Sequence, residues 1–278
     1  RYLTLRLRGC TLRPSQGRMA AAGYNLPFAV RVSMPRLAHR TQDFLTFQVV
    51  ELFKEAQALA ASGRDIISLG IGEPDFTAPP QVVEALERAA RAGLSGYCAP
   101  GGLSPLREAI AEFYATEFGA RIEPERVIVT GGASGALALA CAALVNPGGE
   151  VLMPDPSYPA NSNFILSAGG RPRLLPTDAS QRFQLSARDI REHWGPQTQG
   201  VLIASPSNPT GTSIEHDALA ELLAEVRQRQ GFTIMDEIYL GLSYEQAPRS
   251  ALTLDDDIIV INSFSKYFHM TGWRLGWM

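Results

Sequence analysis

Residues Val201 to Tyr239 read VLIASPSNPTGTSIEHDALAELLAEVRQRQGFTIMDEIY: an aliphatic run, a proline-rich turn, a helical stretch and a second aliphatic run. Val201-Leu202-Ile203-Ala204 and Phe232-Thr233-Ile234-Met235 are short and almost free of polar residues, which suits strands covered on both faces. The stretch from Glu215 to Gln230 supplies the helix between them. Strand, helix and strand in this order predict parallel neighbours in an α/β sheet.

The alternation extends in both directions. Upstream, Val127-Ile128-Val129 precedes a helix from Ser134, Val151-Leu152-Met153 precedes a helix near Asn161, and Arg173-Leu174-Leu175 follows; downstream comes Ile258-Ile259-Val260-Ile261. The fold class expected is α/β, with a mainly parallel sheet. Ahead of it, apolar residues at helical spacing predict a helix from Phe44 to Ala61, stopped by Gly63. Asp65-Ile66-Ile67-Ser68-Leu69 predicts a short strand, ending in the turn-rich loop Gly70-Ile71-Gly72-Glu73-Pro74-Asp75-Phe76. Further helices are expected at Pro80 to Ala92 and Ser104 to Phe118, the second capped by Ser104 with Pro105 at its first position.

The 278 residues are 45% hydrophobic and 19% charged, enough to bury a large core. A formal charge of -3 gives no electrostatic reason to expect nucleic acid or an acidic membrane as partner. The most apolar helical run, Ala136 to Val145, falls well short of the roughly 20 residues that cross a bilayer. Cys10, Cys98 and Cys141 have neither disulfide-framework nor metal-site spacing, so a reducing cytoplasm is expected. Residues 1–43 differ from the rest: Arg1, Arg6, Arg8, Arg13, Arg18 and Arg31 precede the first acid, Asp43, without a sustained period. This irregular extension fits translated upstream sequence, given possible starts at Met19 and Met34, or a mitochondrial transit peptide.

In such sheets ligands bind beyond the carboxyl ends of the strands, so the residues after each strand are the ones to weigh. After the first come Thr130-Gly131-Gly132-Ala133-Ser134-Gly135, which open a helix and present backbone N–H groups to an anion such as phosphate; the same glycines also suit close packing. Pro154-Asp155-Pro156-Ser157-Tyr158-Pro159 would hold Tyr158 where its ring can stack on a flat ligand, or form a plain surface turn. In Ser205-Pro206-Ser207-Asn208-Pro209-Thr210-Gly211-Thr212, Asn208 can donate to an anionic ring oxygen, although an Asn-Pro turn without a ligand reads alike. Asp236-Glu237-Ile238-Tyr239 places an acid at a strand end and a phenol one helical turn later. The acid suits either a protonated ring nitrogen or a helix N-terminus.

The last strand leads into Ser263-Phe264-Ser265-Lys266-Tyr267-Phe268-His269-Met270-Thr271-Gly272-Trp273-Arg274-Leu275-Gly276. Ser263, Ser265 and Arg274 offer hydroxyls and a guanidinium to a phosphate. Lys266 sits among Phe264, Tyr267, Phe268, Met270 and Trp273, and partial burial would shift it toward the neutral, nucleophilic amine. Phosphate donors, a stacking ring, a carboxylate, two donors for a ring oxygen and an amine together describe a site for pyridoxal 5'-phosphate.

In their order, these motifs resemble the aminotransferase class I and II family, fold type I pyridoxal-phosphate enzymes of the aspartate-aminotransferase-like branch. Gly70 to Phe76, Tyr97-Cys98-Ala99-Pro100-Gly101-Gly102 and Leu106-Arg107-Glu108-Ala109-Ile110 extend the resemblance to Phe44 through Met278. It implies a three-layer αβα large domain over residues 76–278, with 44–75 contributing a helix and a strand to a small domain whose remainder lies beyond this chain. Lys266 would form a Schiff base with the cofactor and move a proton at the substrate's α-carbon. Asp236 would face the ring nitrogen, Asn208 and Tyr239 the ring oxygen, and Tyr158 the ring face. The phosphate would take Ala133, Ser134, Ser263, Ser265 and Arg274, with Tyr97 reaching the phosphate of a neighbouring subunit in a homodimer. The main chain at Gly72 would lie near the carboxylate of an amino acid or 2-oxo acid substrate.

The resemblance also implies that the arginine pairing with the substrate carboxylate falls beyond Met278, so little transaminase turnover is expected of this polypeptide alone. Two other readings stand beside transamination. One is a lyase or synthase on the same scaffold; the other is a cofactor-binding regulatory domain, for which residues before Phe44 are too few and too irregular to form a winged helix. A dinucleotide-binding site is disfavoured, because Thr130 to Gly135 lacks the GxGxxG spacing.

Overall fold

A computed structural model describes residues 36–70, 72–244 and 247–278. The chain divides into two units, Arg1–Leu37 and Ala38–Met278, and every element below belongs to the second. Most of the Arg-rich extension expected over residues 1–43, with Cys10, Met19 and Met34, therefore lies outside the described residues. Within its last part, His39–Gln42 forms a short 3₁₀ turn.

Seven strands make one sheet: β1 (Val129–Thr130), β2 (Glu150–Asp155), β3 (Arg171–Pro176), β4 (Thr198–Ala204), β5 (Phe232–Asp236), β6 (Ile259–Ser263) and β7 (Gly276–Trp277). Their order is β1-β7-β6-β5-β4-β2-β3. The pairs from β3 to β6 are parallel, while β7 runs antiparallel to both β1 and β6. The α/β, mainly parallel sheet expected from the aliphatic runs is thus present. β7 belongs to the Arg274-Leu275-Gly276 motif and carries no strand signature of its own.

Side-chain alternation along the strands divides the core in two. Leu152, Val201, Ile203, Met235 and Val260 pack on one face with residues of α3 (Ser104–Glu117), α6 (Ala187–His193) and α7 (His216–Gln228). Val151, Met153, Leu202, Ile234 and Ile261 pack on the other with α4 (Gly132–Leu144) and α5 (Ala160–Ser167). This is the three-layer arrangement. Each central strand is covered twice, which explains why its sequence is almost uninterrupted by polar residues. The start of α6 is specified locally by a capping box, with Ser186 and Asp189 exchanging side-chain and backbone bonds.

Ahead of the sheet, α1 (Gln48–Ala61) ends where expected but starts four residues later than Phe44, and α2 (Pro80–Arg91) falls within its expected stretch. The strand expected at Asp65 to Leu69 does not form. That segment has no regular secondary structure, with Ile67 85% and Leu69 95% exposed, and pairs with no strand among the described residues. A short β-branched run without a neighbour has no ladder to join. Ser104 is likewise not the cap of α3: it is the first helical residue, Leu103 precedes the helix, and Pro105 is second.

The loop after β6 is fixed by an aromatic cluster. Phe113 of α3 meets Phe268 at 5.4 Å between ring centroids, and Phe264 meets Trp277 of β7 at 4.9 Å. Tyr114, buried beside them, accepts a hydrogen bond from Asn262 Nδ2 at 3.2 Å. Residues on both sides of Lys266 are thereby held by the core.

Candidate active site

Side chains that end or follow β2, β4, β5 and β6, namely Tyr158, Asn208, Asp236 with Tyr239, and Lys266, come together beyond the carboxyl ends of these strands. Asp236 ends β5 with 7% of its surface exposed, and Ile238 N donates to its Oδ1 at 3.0 Å from the same turn. No cation pairs with it among the described residues, and burial pushes the carboxyl up to about 6. A buried carboxylate so weakly compensated suits a ligand that brings a positive N–H to it.

Tyr158 and Tyr239 are half-buried beside this acid. Burial raises both phenols above their ordinary value, and the charge of Asp236 adds to each. Asn208 Nδ2 lies 3.5 Å from the Tyr239 hydroxyl, the outer limit of a hydrogen bond, and Phe47 meets Tyr158 edge-on at 5.8 Å. The α-helix implied between Asp236 and Tyr239 does not form. A turn joins β5 to a 3₁₀ segment at Leu240–Leu242, so the two side chains share a locus through turn geometry.

Lys266 is half-buried, with Nζ 5.9 Å from the Tyr239 ring centre and donating to the carbonyl of Gly72 at 2.9 Å. Burial lowers its pKa, and Glu73 opposes that shift. Glu73 in turn accepts from Thr271 Oγ1 at 2.6 Å, while Phe76 stacks on His269 at 5.6 Å. The segment from Gly72 to Phe76 therefore lies against the lysine loop. Of the apolar neighbours expected around Lys266, Met270 is buried and Phe264 and Phe268 are partly so, whereas Tyr267 and Trp273 are more exposed.

The first turn of α4 forms the other wall. Gly132 has φ 77°, and a Cβ there would stand 2.4 Å from Nη2 of Arg274, so the guanidinium lies directly on this helix start. Arg274 has φ 53° and donates to Thr271 O at 2.7 Å. Ala133 follows Gly132 and Ser134 is the next, exposed residue. Helix N–H groups and a guanidinium together make a cradle for a doubly charged anion.

Ser263 and Ser265 are buried, and Ser263 Oγ accepts from Ser265 N at 3.1 Å, so that oxygen already serves its own loop. Tyr97 stands apart, fully exposed and without a hydrogen bond or ring partner in the cleft among the described residues. Three contributors escaped the sequence reading: Gly132, whose signal was the double glycine before α4; Glu73, marked only by its loop; and Glu237, buried behind Asp236. The residues present fit pyridoxal phosphate: an anion cradle, an uncompensated carboxylate and a partly desolvated amine lie along one cleft.

The family model for aminotransferase class I and II matches residues 64–278. A (5-formylfuran-3-yl)methyl phosphate transaminase of Methanocaldococcus jannaschii is 35% identical over 245 residues, covering 87% of this chain and 63% of that protein. An aspartate aminotransferase of Thermotoga maritima is 36% identical over 245 residues, covering 87% and 65%. The solved structure of Thermus thermophilus aspartate aminotransferase with maleate superposes with a TM-score of 0.83 at 33% identity, over 88% of this chain and 64% of that one. The chain spans about two thirds or less of the length of these relatives. With the family model covering most of the chain and the fold shared at this level of identity, the chain belongs to the aminotransferase class I and II family.

Proposed function

We propose that this chain binds pyridoxal 5'-phosphate through Lys266 and serves the transfer of an amino group between an amino acid and a 2-oxo acid. The observation that carries it is that Tyr239 links the two groups at the carboxyl end of the sheet: its phenol feels the charge of a buried Asp236 that has no cation partner among the described residues, and Lys266 Nζ lies 5.9 Å from its ring centre. Enzymes of the family use this cofactor. When bound, it supplies a conjugated ring that takes up the electrons released at the substrate's α-carbon.

The chain's own residues divide the remaining work. A lowered pKa raises the neutral fraction of Lys266, which suits it to bond the cofactor aldehyde with loss of water and later to carry a proton at the α-carbon. Asp236 receives the ring N–H. Asn208 and Tyr239, already neighbours, direct donors to the ring oxygen, and Tyr158 covers the ring face. Arg274 with the N–H groups at Ala133 and Ser134 holds the phosphate, with Ser263 and Ser265 shaping the same loop. Gly72, now bonded to Lys266, is placed to exchange that contact for the substrate.

A homodimer is part of the proposal, and the fully exposed ring of Tyr97 supports it. So is a cytoplasmic setting for the unpaired thiols of Cys98 and Cys141. No described helix is long and apolar enough to cross a membrane.

Single-turnover spectroscopy tests the chemistry. With cofactor bound and an amino acid added without a 2-oxo acid, transamination leaves the pyridoxamine form and one equivalent of new 2-oxo acid. Return of the starting spectrum with release of a fragmented product would instead assign a lyase.

A further inference from the structure

Glu237 is 1% exposed, follows Asp236 directly, and holds no role in the cofactor chemistry proposed above. Its side chain turns away from the cleft. Oε1 accepts from Ala251 N at 2.7 Å, and the buried Ser250 hydroxyl lies 3.1 and 2.9 Å from the two carboxylate oxygens. Its main chain is also held, because Glu237 N donates to Ile261 O of β6 and Leu240 N donates to Glu237 O, both at 2.9 Å. One residue thus ties the turn carrying Asp236 and Tyr239 to β6 and to the 3₁₀ segment Ala251–Thr253.

Hydrogen bonding alone does not require an acid there, since an amide carbonyl could accept from the same donors. What a carboxylate adds is charge. No lysine, arginine or histidine pairs with Glu237 among the described residues; the titratable groups facing it are Asp236 and Tyr114, and Glu237 and Asp236 each oppose the ionisation of Tyr114. Burial pushes the Glu237 carboxyl up to about 7, so above that pH it is a negative charge without its own counter-ion, which acts on whatever sits at Asp236 and favours a proton there.

We propose that Glu237 is a positioning residue for this site: it anchors the Asp236–Tyr239 turn, and its charge reinforces Asp236 in keeping the cofactor's ring nitrogen protonated. The charge half rests on the reading that Asp236 faces that nitrogen; the anchoring half does not.

Three variants separate the parts. Glu237→Gln keeps an acceptor and loses the charge, Glu237→Asp keeps the charge and shortens the reach, and Glu237→Ala loses both. The ring nitrogen is read by NMR on the full chain loaded with cofactor labelled at that atom with nitrogen-15, across a pH series. The turn is read by amide hydrogen exchange at residues 237–242 in the cofactor-free chain. Glu237→Gln should lower the protonation midpoint of the ring nitrogen by about one unit with slow exchange retained. Glu237→Asp should leave the midpoint near wild type and speed exchange, and Glu237→Ala should do both, with exchange rising by about 10-fold or more. A nitrogen signal identical in Glu237→Gln and wild type at every pH overturns the charge role, and unchanged exchange in Glu237→Ala overturns the anchoring role. If borohydride fixes no cofactor on wild-type Lys266, the underlying cofactor reading fails instead, and the exchange data still decide the anchor.

Discussion

Replacing Gly132 by Ala places a methyl group where the Arg274 guanidinium now lies. The added carbon would approach Nη2 to 2.4 Å and Cζ to 2.9 Å. Because the guanidinium is the far end of a flexible side chain, it moves and the helix start stays. Gly132 also has φ 77°, a left-handed conformation costing a residue with a Cβ about 1–2 kcal/mol. Stability should fall by about that much. The phosphate loses more specifically: one charge-assisted contact is worth about 1.5–3 kcal/mol, equivalent to about 10- to 150-fold in affinity. Titrating the cofactor-free chain with pyridoxal phosphate and with pyridoxal, followed by absorbance, separates the two effects. Affinity for the phosphate ester should fall within that range while affinity for pyridoxal holds. Equal losses for both ligands, or none for either, would refute the placement of the anion at Gly132 and Arg274.

Other expectations follow from the same geometry. Gly276→Ala should destabilise the fold by about 1–3 kcal/mol or more in urea unfolding, since its Cβ would meet only backbone, Gly132 C at 2.7 Å, Ala133 N at 2.8 Å and Asn262 O at 2.9 Å. Burial holds Asp236 at about 6 and Glu237 at about 7, above ordinary values of 3.8 and 4.5. The folded chain then binds more protons than the unfolded one across about pH 4–7, so cofactor-free stability should fall as pH rises through that window. Asp236→Asn should be more stable than wild type at pH 8, by up to about 3 kcal/mol, with the difference closing near pH 4; a pH-independent difference would contradict this. Asn163→Ala removes the paired bonds to Leu45 N and O, both 3.0 Å, and should speed amide exchange from residue 44 into α1 without lowering the global melting temperature.

The sheet was legible because parallel strands buried on both faces leave an aliphatic signature, as at Val201 to Ala204 and Phe232 to Met235. Asn208, Asp236 and Lys266 stand out as candidates because they lie at or shortly after the carboxyl ends of β4, β5 and β6. Other features depend on partners distant in sequence. Ile67 and Leu69 read as strand residues, yet a strand needs a neighbour to pair with. Gly276 looks like punctuation inside a motif, and only the approach of Gly132 shows that it must lack a side chain. Glu237 reads as one more polar residue after a strand, because the donors that bury it come from Ser250 and Ala251. The reach of Lys266 to Gly72 spans most of the chain and leaves no mark near either residue.

Borohydride reduction of the cofactor-loaded chain, followed by peptide mapping, addresses the cofactor site most directly. One equivalent of reduced cofactor should be fixed on the peptide carrying Lys266, and Lys266→Ala should take up none covalently. Label on Lys54, the only other lysine in the sequence, or equal labelling of the Lys266→Ala chain, would contradict the assignment.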